Sequence, residues 1–298
     1  MVVAVALALA LPGASAWAGD ADFSLAARDR AGEGLLFACA RPSEAGCLEF
    51  TPRNDRFRAL AGQLGMVFAP RLTATADTVG HAGFELSARW SGSFVASDRP
   101  YWGVTEAARA TGDPLGLLST LHLDARKGLP LSFELGASLM WLVDSRLFAP
   151  GLELRWALED PHPLAPDLSL RGAVSHLVGQ RDLELTTVGL EAVLSKELAL
   201  GGVVEIAPFG GWAVLLTTAR SGVVDPTPGA FVDAPRRADV ENDFVFDPIE
   251  LGDVVNHRLT VGARMIAYVV DIAVQGEFRL VGDDDPVTGV GVKFGLTY

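Results

Sequence analysis

The sequence predicts an all-β fold, a single transmembrane antiparallel up-and-down β-barrel of about 12 strands. Three observations lead there. First, 49% of the 298 residues are apolar and the mean hydropathy is +0.29. Yet past residue 18 no window approaches the roughly 18 uncharged apolar residues that a spanning helix needs. The best stretch, 206–219, is short and holds Pro208, Gly210 and Gly211. Second, the apolar residues recur at every other position, as on one face of a strand. Third, the alternation persists for roughly 10 residues or more, the length of a tilted membrane strand, where soluble sandwich strands hold about 5–6. Backbone crossing lipid must bond to itself, which leaves a helix or a closed barrel, and the period selects the barrel.

The individual elements carry this pattern. In 131–143, Leu131, Phe133, Leu135, Ala137, Leu139, Trp141 and Val143 share one face against Ser132, Glu134, Gly136 and Ser138. In 258–267, Leu259, Val261, Ala263, Met265 and Ala267 oppose Arg258, Thr260, Gly262 and Arg264. In 270–280, Val270, Ile272, Val274, Phe278 and Leu280 oppose Asp271, Gln275, Glu277 and Arg279. The same reading places strands near 57–69, 82–95, 118–127, 146–158, 168–178, 182–196, 203–219 and 287–298. One more, in "GEGLLFACA" (32–40), makes the count even. If residues 20–50 fold inward as a plug, the barrel has 10 strands.

The N-terminus, "MVVAVALALALPGASAWAGD", is an apolar run, a helix-breaking Pro-Gly and a small-x-small pattern ending at Ala18. Residues 1–18 are expected to be a secretory signal peptide, followed by an N-terminal segment (19–56) and the barrel (57–298). The missing basic residues before the apolar run fit a start codon further upstream. After export, Cys39 and Cys47 are expected to form a short-loop disulfide.

If the last strand ends in the periplasm, the long inserts at 96–117 and 220–256 are both external. The connections at 127–131, 159–167, 197–202 and 268–269 are then periplasmic, the short-turn side of such barrels. Phe68, Phe84, Phe133, Trp156, Tyr268 and Tyr298 should mark the periplasmic rim. Phe94, Trp141, Phe148 and Phe278 should mark the external one.

The chain ends in "GVGVKFGLTY", with Val290, Val292, Phe294, Leu296 and Tyr298 on one face and Lys293 on the other. This strand resembles the C-terminal strand of bacterial outer-membrane β-barrels. The resemblance implies an outer-membrane location and recognition by the barrel-assembly machinery; it implies no particular substrate.

Inward positions gather charges of both signs. They comprise Glu85, Arg89, His122, Asp124, Arg126, Glu134, Glu153, Arg155, Arg171, Glu184, Glu205, Arg258, Arg264, Asp271, Glu277, Arg279 and Lys293. Two roles follow from chemistry: a paired network that stiffens the wall, since a buried charge needs a partner, or a selectivity lining for small solutes. His122 and Asp124, facing Ser87 and Ser132, are the nearest approach to a hydrolase. Residues i and i+2 on a strand lie about 7 Å apart, too far for direct orientation of a base. His81, His162, His176 and His257 fall near turns and strand ends. External carboxylates at Asp225, Asp233, Asp239, Glu241, Asp243, Asp247, Glu250, Asp253 and 283–285 read as solvated loop.

The expected function is a narrow passive channel or transporter for small molecules. The alternative is a closed structural or adhesion barrel binding a partner through 96–117 and 220–256, and a barrel-embedded hydrolase ranks third. The chain is expected not to be an enzyme and to need no cofactor or metal. Outer-membrane lipid and lipopolysaccharide are the expected surroundings, with a small solute as cargo. A net charge of −13 leaves no basic surplus for nucleic acid.

Overall fold

The computed structural model describes residues 19–29, 32–43, 46–72, 74–158, 165–200, 204–227, 243–281 and 287–298. The expected leader, His162, Asp233, Asp239, Glu241 and the 283–285 acids lie outside them.

Ten antiparallel strands close into one barrel. They are β3 (Phe84–Phe94), β4 (Leu117–Gly128), β5 (Phe133–Leu142), β6 (Phe148–Leu158), β7 (Asp167–His176), β8 (Leu183–Ser195), β10 (Val204–Ser221), β11 (Ile249–Ala267), β12 (Val270–Val281) and β13 (Thr288–Thr297). Each pairs with the next, β8 passing to β10, and β13 returns to β3 with Thr297 opposite Glu85 and Thr288 opposite Phe94. The short β9 (Leu198–Leu200) continues the line of β8 alongside Val204–Ile206. Leu86, Leu123, Leu135, Leu152, Leu190 and Phe294 are exposed on the outer wall, so the greasy face meets lipid. Outer-wall aromatics stand at both ends. Phe84, Phe133, Trp156, Tyr268 and Tyr298 cluster at the end with the short turns, taken here as periplasmic, and Phe94, Trp141, Phe148 and Phe278 at the end with the long connections, taken as external.

Among the described residues the barrel therefore has ten strands rather than twelve, the count expected where the N-terminal residues fold inward as a plug. The expected strand at 57–69 is a helix, α1 (Asn54–Phe68). Phe57, Leu60, Ala61, Leu64, Val67 and Phe68 recur at helical spacing, and from Leu60 onward every residue is buried because α1 stands within the barrel. Phe68 thus leaves the periplasmic rim for the interior. Ala69 and Pro70 end the helix, since proline disfavours helical backbone before it.

The expected strand at 32–40 does not join the barrel. It supplies β1 (Phe37–Ser43), which pairs only with β2 (Gly46–Pro52) in a hairpin of its own, stapled by the Cys39–Cys47 disulfide. A loop this short contributes about 2–3 kcal/mol by chain entropy. The contribution is confined to the hairpin. Cys39→Ser with Cys47→Ser should loosen the hairpin, seen as faster hydrogen exchange over 37–52, while the folded barrel's migration on a cold SDS gel stays unchanged.

The hairpin belongs to an external cap. Ala21 donates to the Asp144 carbonyl (3.0 Å), Phe23 bridges Thr105, and Asp22 accepts from the Arg146 backbone (2.9 Å). The 95–116 connection holds a 3-10 turn (Pro100–Val104) and α2 (Glu106–Thr111). Beneath the cap, Leu25, Leu36, Phe57, Leu60, Trp102 and Phe246 join Met140, Leu142 and Leu185 of the wall in one apolar core. The external half of the barrel is therefore filled with hydrophobic side chains.

Candidate functional site

The periplasmic half is filled differently. Below α1, residues 69–72 and 74–79 run through the lumen as an extended strap, emerging near Gly80 and Gly128 at the foot of β3 and β4. An extended chain inside a barrel has no ladder for its carbonyls, and buried carbonyls need donors. Wall arginines supply them. Arg258 donates to the Pro70 carbonyl (2.7 Å), Arg171 to that of Arg71 (2.9 Å), and Arg155 to those of Thr75 (2.9 Å) and Asp77 (3.2 Å). Ser175 caps the Phe68 carbonyl (2.6 Å), and Ser195 accepts from the Ala76 N–H (2.9 Å).

The same guanidiniums are ion-paired. Glu85 meets Arg126 (2.5 Å), Lys293 (2.9 Å) and Arg264 (3.7 Å). Asp271 meets Lys293 (2.7 Å) and Arg264 (2.9 Å), and Glu134 meets Arg126 (3.3 Å) and Arg155 (3.8 Å). Higher up, Arg171 joins Glu153 and Glu191, Arg258 lies 3.9 Å from Glu191 and 3.8 Å from Glu277, and Arg71 of the strap pairs with Glu277. Arg89 and Asp124 are 3.4 Å apart, as Arg264 and the strap's Asp77 are 3.2 Å apart. The cations Arg71, Arg89, Arg126, Arg155, Arg171, Arg258, Arg264 and Lys293 equal in number the carboxylates of Asp77, Glu85, Asp124, Glu134, Glu153, Glu191, Asp271 and Glu277. Among the described residues these ion-paired groups balance in charge, as burial favours.

Every inward residue expected from the sequence is on the inner wall except Glu184, which faces outward and is exposed. Its strand carries apolar residues at both parities, so alternation gave no face, and Glu191 is the inward carboxylate there. Arg71 and Asp77 were missed because they belong to the strap. Arg279 is half-buried near the external end of β12. The His122 ring is buried, with Nδ1 3.0 Å from Arg89 Nη2 and Nε2 2.9 Å from Thr120 Oγ1. Ser132 lies in the periplasmic turn after Pro130, away from that ring's two partners.

Where the strap leaves the barrel, Glu197 hydrogen-bonds to Glu205 and Asp77, and its carboxyl is pushed up to about 8 by burial first and then by the Asp77 charge. A raised carboxyl opposes folding once the unfolded chain ionises and the folded one does not. The deficit is absent below the ordinary value of 4.5, grows as pH rises, and is complete above about 8. Glu197→Gln should therefore raise the melting temperature at pH 8.5 and leave it unchanged at pH 4, by differential scanning fluorimetry in detergent.

No protein-family profile matches the chain, and no curated protein does. Solved structures do resemble it. The outer membrane enzyme PagL is 10% identical over 71% of this chain and 98% of its own, with a TM-score of 0.31. The COG4313 outer membrane channel from Pseudomonas putida F1 is 9% identical over 77% and 100%, with a TM-score of 0.34. Ail, the attachment invasion locus protein of Yersinia pestis, is 11% identical over 74% and 100%, with a TM-score of 0.27. At these values the likeness is one of architecture. That architecture includes an enzyme, so the expectation that this chain is not an enzyme is withdrawn, and the fold leaves catalysis open. Among the described residues no helix is long and apolar enough to cross a membrane. With its closed ring, apolar outer wall and aromatic ends, the chain folds as a transmembrane β-barrel, the architecture of the bacterial outer-membrane proteins it resembles.

Proposed function

We propose that this is a self-plugged barrel, closed to solute at rest, whose external cap binds a partner at the cell surface. The observation that carries this reading is the strap, because wall arginines bond its carbonyls all along the periplasmic half while α1 fills the external half. The inward charges then act as a paired network that fixes the plug to the wall. A luminal cavity beside Arg71, Ser93 and Glu277 measures about 10 Å³, room for one water. The cap, built from 19–29, 32–43, 46–52 and the 95–116 connection, is the surface offered to the partner.

Residues 1–18 act as the leader that exports the chain. The C-terminal strand, with Phe294 and Leu296 outward, is what the barrel-assembly machinery reads.

A second reading, a channel for small solutes gated by the plug, is favoured by one feature. The strap is held by polar contacts that water can replace, whereas α1 sits in an apolar core.

Planar-bilayer recording of the purified protein tests the first reading. Wild-type protein should give no conductance steps, and liposomes containing it no flux of small sugars. Steady steps without any trigger would overturn it.

A further inference from the structure

A groove of about 780 Å³ opens on the external face, between the N-terminal segment at Arg28 and Leu35 and the 97–114 connection. Its height is set by the strands below. Phe94 ends β3, faces Leu117 at the start of β4, and both are exposed to lipid. Ser97 and Pro114, at the groove's edge, are each three residues from those strand ends, so the groove sits at the headgroup layer. Under it, Trp90 and Leu121 continue the apolar strip down the outer wall.

The lining is mixed in a particular way. Three arginines, Arg28, Arg99 and Arg109, line it together with two carboxylates, Asp29 and Asp98, and apolar ground at Leu35 and Pro100. Arg28 is held in place by the carbonyls of Gly32 (3.1 Å) and Pro226 (3.0 Å) and by the Phe37 and Phe50 rings at 5.6 and 5.2 Å. Arg109 pairs with Glu106 and keeps its side chain 44% exposed. Planar guanidiniums match phosphate geometry, and a carboxylate accepts from sugar hydroxyls. Anionic groups, hydroxyls and acyl chains meet at one depth in a single class of molecule.

We propose that this groove seats the phosphorylated sugar headgroup of an outer-leaflet glycolipid, whose acyl chains lie along Phe94 and Leu117. The groove is cut into the cap itself, so the proposal rests on that part of the closed-barrel reading, but its test involves no conductance and the two fail separately.

Native mass spectrometry of the full-length protein in detergent tests it, with three probes: a bis-phosphorylated acylated glucosamine disaccharide, its dephosphorylated form, and glucosamine 1-phosphate. The phosphorylated lipid should bind at least tenfold more tightly than either of the others. Arg99→Ala with Arg109→Ala should remove that advantage, and Arg99→Lys with Arg109→Lys should restore part of it. Equal binding of the dephosphorylated lipid, or an unaffected double alanine variant, overturns the proposal. Glucosamine 1-phosphate binding as tightly as the lipid overturns it in favour of a soluble sugar phosphate. If the alanine variant fails to fold, the wild-type comparison of the three probes still decides.

Discussion

A variant lacking residues 19–79, exported and folded with β3 at its start, should conduct ions where the intact protein does not. The reasoning is volumetric. α1 and the strap occupy the bore along its length, and their removal takes away Phe57, Leu60, Leu64 and Phe68 from the external half and the whole of 69–79 from the other. Wall arginines 155, 171 and 258 lose the carbonyls they bond, and water must replace them. Water that hydrates those guanidiniums also makes a path. The barrel wall, whose strand ladders do not pass through the plug, should persist as a heat-sensitive band on a cold SDS gel. Bilayer recording reads the outcome. A folded truncated barrel that stayed silent would mean the wall itself closes the bore.

The second large effect concerns Glu85. Its carboxylate, 1% exposed, serves Arg126, Lys293 and Arg264 at once. Glu85→Ala leaves three buried cations with one fewer anion. Breaking a buried pair by removing one partner costs about 3–5 kcal/mol, because the remaining charge stays desolvated. The expected result is that much loss of unfolding free energy, measured by urea titration of the barrel in lipid vesicles. Glu85→Ala combined with Lys293→Met should recover a substantial part, since it removes a cation with the anion. A single variant as stable as wild type would show that water already shares this part of the lumen.

Most of the wall was legible because lipid outside and charge inside enforce period two for the full strand. From β3 to β13, the direction of each strand, the side of each connection and the outward face of 258–267 and 270–280 follow from alternation counted back from Tyr298. The plug was not legible for the opposite reason. Residues 60–68 are buried all round, so α1 lacks the polar stripe that separates a helix from a strand. Its alanines and glycines fit either period. Gly65 shows the tightness that results, since a Cβ there would lie 2.2 Å from Thr217 Oγ1. Such a helix is specified by the ring around it, and one-dimensional pattern carries no trace of that. The wall charges were found as a set, but their partners on the strap lay in a stretch with no periodicity. Glu191 was hidden by a strand with apolar residues on both faces.

The path of the strap has a consequence for the order of construction. It joins the cap outside to the foot of β3 in the periplasm, and the ring's seam is the β13–β3 pairing. A segment anchored by a folded, disulfide-stapled hairpin at one end and by β3 at the other need not be threaded through a finished ring. It can lie in the trough of the still-open sheet while the arginines find its carbonyls, and the last strand then zips to the first across it. The molecule is thus wrapped around its own beginning, and the final ladder of hydrogen bonds locks the contents in.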